Sequence, residues 1–259
     1  MTAVETGGVP DTGEIRLTDL LLAELTKIRT LPATWIALAV TLVANTLLGL
    51  LAATDVVRVA GQDGQVAIAQ LGTVLLAPVY AFVAVPVFAV GREYHGGQLR
   101  VSLAAVPDRN RFFMAKLSAS SGTAVLAAVP VVLPGYLLRH AAAVADGDPG
   151  AGRAIGGLLT EVTAYLLLGL VGYGFAVLAK TVVTPLTVLF ILPVLVSPML
   201  GGILPGVVRL LPHEATLSFL GMPAAPALAL DRPAGLLVVS AWAVLSVVTA
   251  WVITGRRDS

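Results

Sequence analysis

Long apolar blocks separated by short polar segments set the pattern of this chain. A helix rises about 1.5 Å per residue, so roughly 20 apolar residues cover the ~30 Å hydrocarbon core of a bilayer. Six stretches meet that length: 33–53, 71–91, 117–138, 155–179, 184–204 and 234–254. Residues 14–31 follow a different period. Leu17, Leu20, Leu21, Leu25, Ile28 and Leu31 share one helical stripe, while Arg16, Asp19, Thr26 and Lys27 lie off it. That pattern predicts an amphipathic helix in the interfacial plane, too polar to cross. Glu24 interrupts the stripe. It pairs with Lys27 one turn away, is exposed to solvent on the Ile28 side, or faces a protein neighbour that carries a basic partner.

Composition agrees with the pattern. The chain is 57% hydrophobic and 12% charged, against about 25% charged for a soluble domain. This predicts an all-α integral membrane protein and excludes a disordered chain, a water-soluble enzyme and a nucleic-acid binder. The organisation expected is a disordered tail over 1–13, the amphipathic helix over 14–31, a six-span domain over 32–255 and a short tail over 256–259. No basic stretch leading into an apolar one marks a cleavable signal peptide at the start. The absence of cysteine removes disulfides, thiolate metal sites and cysteine nucleophiles.

The net charge of +1 is uninformative, but its distribution is not. Arg16, Lys27, Arg29, Arg92, Arg100, Arg109, Arg111, Lys116, Lys180, Arg256 and Arg257 fall on one side of the six spans. Only Arg58, Arg139, Arg153, Arg209 and Arg232 fall on the other. The bias predicts a multi-pass protein of the cell membrane with both termini cytoplasmic.

Among the connections, residues 92–116 carry the most signal. Gly96 and Gly97 break the loop, and Pro107-Asp108 reads as a turn that starts the next helix. Between them, Leu99, Leu103 and Val106 share one side of a short amphipathic piece, with Arg100 off it. A purely topogenic loop would attract anionic lipid without needing the break or the turn, which points to a docking surface for a soluble partner. On the outer side, residues 205–233 are apolar but chopped by five prolines. Re-entrant or interface-lying helices before the last span are expected there. The loops over 54–70 and 139–154 read as solvated.

Chemistry inside the membrane is sparse. Glu161 is the one candidate charge, as an intramembrane site or at the outer interface. His95, His140 and His213 fall in loops and form no ligand cluster. No nucleophile elbow, zincin motif or P-loop occurs, so no catalytic, cofactor or metal site is expected. Pro78 and Pro86 in the second span, and Pro185, Pro193 and Pro198 in the fifth, should kink or break their helices. Gly169, Gly172 and Ala176 form a small-residue seam on the fourth.

Two blocks resemble a known family. Glu24-x-x-Lys27-x-Arg29-Thr30 followed by Thr34-Trp35 is similar to the opening of actinobacterial ABC-2 type transporter permeases. So is Phe88-x-x-Gly91-Arg92-Glu93-Tyr94-x-x-Gly97-x-x-Arg100, continuing through Leu103-Ala104-x-Val106-Pro107-x-Arg109 to Ala115-Lys116. The pattern departs from the family at His95-Gly96. The resemblance implies an export permease that pairs with a second copy or a homologous permease. A separate cytoplasmic subunit would bind ATP and Mg and hydrolyse the ATP. It implies that Arg92, Glu93, Tyr94, His95, Gly96, Gly97 and Arg100, with Arg109 and Arg111, meet that subunit, and that Glu24 and Lys27 lie nearby. An amphipathic or hydrophobic cargo (a drug, antibiotic, peptide or lipid-like molecule) fits the lack of midplane charge. Two alternatives are a secondary transporter with inverted repeats, whose second and fifth spans correspond, and a non-transporting immunity or accessory subunit.

Overall fold

The computed structural model describes residues 16–54, 56–61, 64–94, 108–141 and 151–256. Gly96, Gly97, His95, Arg100 and the short amphipathic piece over 98–106 lie outside the described residues, as does the tail over 1–13. An N-terminal helix, Leu17–Thr30, precedes six helices long and apolar enough to cross a membrane. These are span 1 (Pro32–Thr54), span 2 (Gly72–Tyr94), span 3 (Arg109–Ala141), span 4 (Ile155–Ala179), span 5 (Val183–Leu200) and span 6 (Arg232–Gly255). Span 3 starts eight residues before the apolar run because Asp108 caps it, accepting from the backbone N–H groups of Asn110 and Arg111.

Spans 2 and 4 form the centre. Phe82, Val83 and Val87 of span 2 and Tyr165, Leu168 and Val171 of span 4 are fully buried against Ala128 and Val132 of span 3 and Val239 of span 6. Outward faces are as apolar as this core: Trp35, Ile36, Leu126, Leu159, Val183, Ile203 and Leu237 are all more than half exposed. In water such a belt would drive aggregation; in hydrocarbon it is the expected surface.

Small residues set the closest helix contacts. Gly49 and Gly135 face each other where spans 1 and 3 cross, and a Cβ at Gly135 would lie 2.2 Å from the Asn45 carbonyl oxygen. Asn45 uses the same crossing: its amide donates to the Val131 carbonyl at 3.1 Å, and its oxygen accepts from the Tyr165 hydroxyl at 2.9 Å. On span 4 the expected seam is present at Gly172, where a Cβ would meet Val83 at 2.4 Å. A Cβ at Gly174, outside the expected seam, would meet the backbone of Ser246 on span 6 at 2.6 Å.

Proline acts at some of the expected positions. Span 2 is interrupted after Leu76 and resumes at Val79, with Pro78 at the junction, because Pro78 has no N–H to donate. Pro193 sits in a widened π-helical stretch, Leu192–Val196, inside span 5. Pro86 is carried within a continuous helix.

Two of the segments expected on the outer side carry regular structure. Arg58–Gly61 and Gly64–Ala67 pair as an antiparallel hairpin, β1 and β2, in which Val59 opposes Val66. Arg139 closes the last turn of span 3 instead of lying in a loop.

Gly135→Ala should force spans 1 and 3 apart and cost about 1–3 kcal/mol by overpacking. Gly122→Ala, with nothing within 4 Å of the new methyl, should leave stability unchanged. Thermal unfolding of the two purified variants in detergent checks this, and equal melting temperatures would refute the crossing.

Candidate functional site: an ion-pair ring and a polar cluster

Four charged side chains meet where the N-terminal helix, the end of span 2 and the start of span 3 converge. Lys27 Nζ donates to Glu24 Oε1 at 2.6 Å and to Glu93 Oε1 at 2.9 Å. Lys116 Nζ donates to Glu24 Oε2 at 2.9 Å and lies 2.8 Å from Glu93 Oε2. Two carboxylates and two ammoniums therefore alternate around a closed, neutral ring. Glu24, Glu93 and Lys116 are buried, while the Lys27 side chain is 48% exposed. Glu24 is buried and not solvent-exposed: Lys27 pairs with it inside the helix, and its other basic partner is Lys116 of the same chain.

Helix periodicity builds the ring. Glu24 and Ile28 are the buried positions of the N-terminal helix, one turn apart, and that face packs on span 3. Phe112, Phe113, Ala115, Lys116, Ala119 and Ser120 form the buried face of span 3, so Lys116 points inward. Burial works to raise the Glu24 carboxyl, but the Lys116 ammonium and the hydrogen bonds from Lys27 and Lys116 outweigh it, holding the group below its ordinary value of 4.5. Burial likewise works to lower Lys27, and hydrogen bonds to Glu24 and Glu93 raise it above 10.5 instead. The depressed Glu24 contributes stability above about pH 4.5 that is lost as pH falls through its folded value. The raised Lys27 contributes stability below about pH 10.5 that is lost as pH rises through its own.

Of the residues expected to meet a partner, Glu24 and Glu93 thus face lysines of their own chain. Arg92 and Arg111 are exposed, Arg111 beside Asp108 at 3.3 Å. Arg109 opens the first turn of span 3, and Tyr94 is half-buried against the core. Next to the ring, a cleft of about 750 Å³ opens between the N-terminal helix and span 2, lined by Lys27, Thr30, Phe88, Arg92 and Val182.

At the opposite ends of the spans the polar groups are arranged differently. Arg139 Nη2 donates to Glu161 Oε2 at 2.5 Å, and both are largely buried, so Glu161 is a paired charge between spans 3 and 4. The helix Pro212–Leu220, in the segment before span 6, buries His213 and Glu214. The Tyr80 hydroxyl hydrogen-bonds to His213 Nδ1, and the two rings stack. His213 Nε2, Glu214 Oε2 and Ser197 Oγ have no hydrogen-bond partner. His213 therefore lies in a packed helix and not in a loop: the preceding Pro212 starts the helix, and span 6 covers it. No group of three or more metal-ligating side chains forms among the described residues.

Sequence reasoning missed Lys116 as a site residue, although its place on an apolar stripe between Phe112 and Ala119 marks it. It also missed Glu214, for which only the fold reveals burial. Comparison with known proteins adds no family: no family model and no curated sequence matches the chain.

Lys116→Met should leave two buried carboxylates sharing one ammonium and cost about 3–5 kcal/mol. Lys27→Met, at a half-exposed position, should cost less. Exchanging Glu24→Lys with Lys116→Glu should fail to rescue, since each new charge would face a like neighbour in Lys27 or Glu93. Detergent melting curves at neutral pH decide this; a rescued double variant would rule out the ring.

Proposed function

We propose that the chain is the membrane-embedded permease subunit of an ATP-driven, ABC-2 type exporter, working in a bacterial cell membrane with both termini cytoplasmic. A separate cytoplasmic subunit would bind and hydrolyse ATP, and a second permease copy or a homologous permease would complete the path. The observation that carries this reading is the ion-pair ring. It clamps the N-terminal helix to both helices that flank residues 95–107, so a pull transmitted through those helix ends would move three elements together. Arg92 and Arg111, both exposed, the latter beside Asp108, border the same segment and could meet a soluble partner's surface, while Glu24 and Glu93 transmit the motion from within. No residue of this chain makes or breaks a covalent bond in such a stroke. The exposed belt is mostly apolar and, within the spans, carries no exposed charge at mid-depth, which suits an amphipathic or hydrophobic cargo.

A re-entrant path for the segment before span 6 belongs to this reading. Trp242 Nε1 donates to the Leu210 carbonyl at 2.8 Å. Trp242 lies ten residues into span 6, or about 15 Å along its axis. A carbonyl held at that depth supports a segment that dips into the bilayer and returns, its polar backbone satisfied by protein.

A secondary carrier is favoured by one observation. Spans 2 and 5 are the two interrupted spans, at Pro78 and at Leu192–Val196, and Tyr80 and Ser197 of the polar cluster stand immediately beyond those interruptions. Paired broken helices next to buried polar groups are a feature of carrier binding sites.

Affinity purification of the tagged chain from crosslinked native membranes separates the two. A P-loop ATPase should co-purify, and Arg92→Glu, which leaves the ring intact, should reduce its recovery at least several-fold. Recovery of the chain with only copies of itself, under conditions where a control transporter keeps its ATPase, would favour the carrier. The absence of cysteine makes orientation directly testable. In intact cells, Gln65→Cys should react with a membrane-impermeant maleimide and Asp19→Cys should not; the reverse pattern would invert the topology.

A further inference from the structure

Glu214 is a buried carboxyl whose adjacent base, His213, is engaged by Tyr80. Its residue is 1% exposed, and among the described residues no lysine, arginine or histidine forms an ion pair with it. The groups that face it can be named from each element packed on its helix. Span 2 presents the Tyr80 hydroxyl, already hydrogen-bonded to His213. Span 5 presents the Ser197 hydroxyl, which stands beside the Glu214 carboxyl. Neither Ser197 Oγ nor Glu214 Oε2 completes a hydrogen bond. Span 6 has no titratable side chain between Arg232 and Arg256, and the Arg232 guanidinium packs at Gly221, seven residues or about 10 Å along the helix from Glu214. On span 4, Glu161 is held by Arg139 and Tyr165 by Asn45.

An ionised carboxylate in such a place has lost its water and gained no counter-charge, a cost far above what the fold can absorb. Something positive must neutralise it. Hard metal cations take about six or more oxygen ligands, and the surroundings offer chiefly the carboxyl itself and the Ser197 hydroxyl. A proton needs only one acceptor. We propose that Glu214 is a proton-binding site: at neutral pH its carboxyl carries a proton in this packed arrangement and releases it to water when the Pro212–Leu220 helix moves away from spans 2 and 5. The step is a simple dissociation, in which the O–H bond of the acid breaks and water takes the proton. The interruptions beside Tyr80 and Ser197 are the places where those two spans can give. The site is independent of which partner drives transport.

Infrared spectra of the purified full chain test it directly. At neutral pH the protein should show the carbonyl stretch of a protonated carboxylic acid, shifted in D₂O. That band should be lost in Glu214→Gln and kept in Asp231→Asn, an exposed control. Glu214→Asp, which retains the acid, should keep a shifted band and serves if the glutamine variant does not fold. Identical acid-region spectra for the wild type and Glu214→Gln would overturn the proposal. So would a band present only when sodium and potassium are removed, since a metal cation would then hold the site.

Discussion

A charge removed from water must find an opposite charge, and in this protein that requirement organises the end of the bundle where the chain begins. Glu24, Lys27, Glu93 and Lys116 come from three helices and from positions up to 92 residues apart. Each carboxylate touches both ammoniums and each ammonium touches both carboxylates. Such a ring adds little net stability over an apolar core, because desolvation offsets most of the Coulomb gain. What it provides is register. One turn of slippage by any helix would leave an unpaired charge in a medium that cannot solvate it.

The opposite end is held by neutral and paired groups instead. Arg139 and Glu161 cancel within one contact, while Tyr80, Ser197, His213 and Glu214 form a cluster that is incompletely hydrogen-bonded. Between the two ends, Asn45 and Tyr165 link spans 1, 3 and 4 through a satisfied pair of hydrogen bonds, and glycines bring helix backbones into direct contact. Charge pairing thus dominates where the N-terminal helix docks, and a partly unsatisfied polar cluster lies beside the interruptions of spans 2 and 5.

Much of this was legible in the sequence. Span length follows from bilayer thickness and apolar run length, so all six spans could be read with errors of a few residues. The largest shift, at the start of span 3, came from a polar first turn that a hydropathy reading skips and an aspartate cap secures. The hairpin escaped notice because four-residue strands are too short to show a convincing alternation. Glu24 was conspicuous as a charge on an apolar stripe, yet its strongest partner was out of sight. Helical spacing can place Lys116 on the inner face of span 3, but no local rule states which helix that face meets.

The sequence by itself determined the apolar character of the chain, the number of helices long and apolar enough to cross a membrane, and two sites of helix irregularity, at Pro78 and Pro193, because these depend on local composition and on proline chemistry. Only the tertiary structure decided which charges meet, that Glu24 and Glu93 turn inward to lysines of their own chain, and that Glu214 is buried without an ion-pair partner among the described residues. Pairing across 66 or 92 residues depends on how helices cross, and crossing is set by the summed shape of many small contacts that no single stretch of sequence carries.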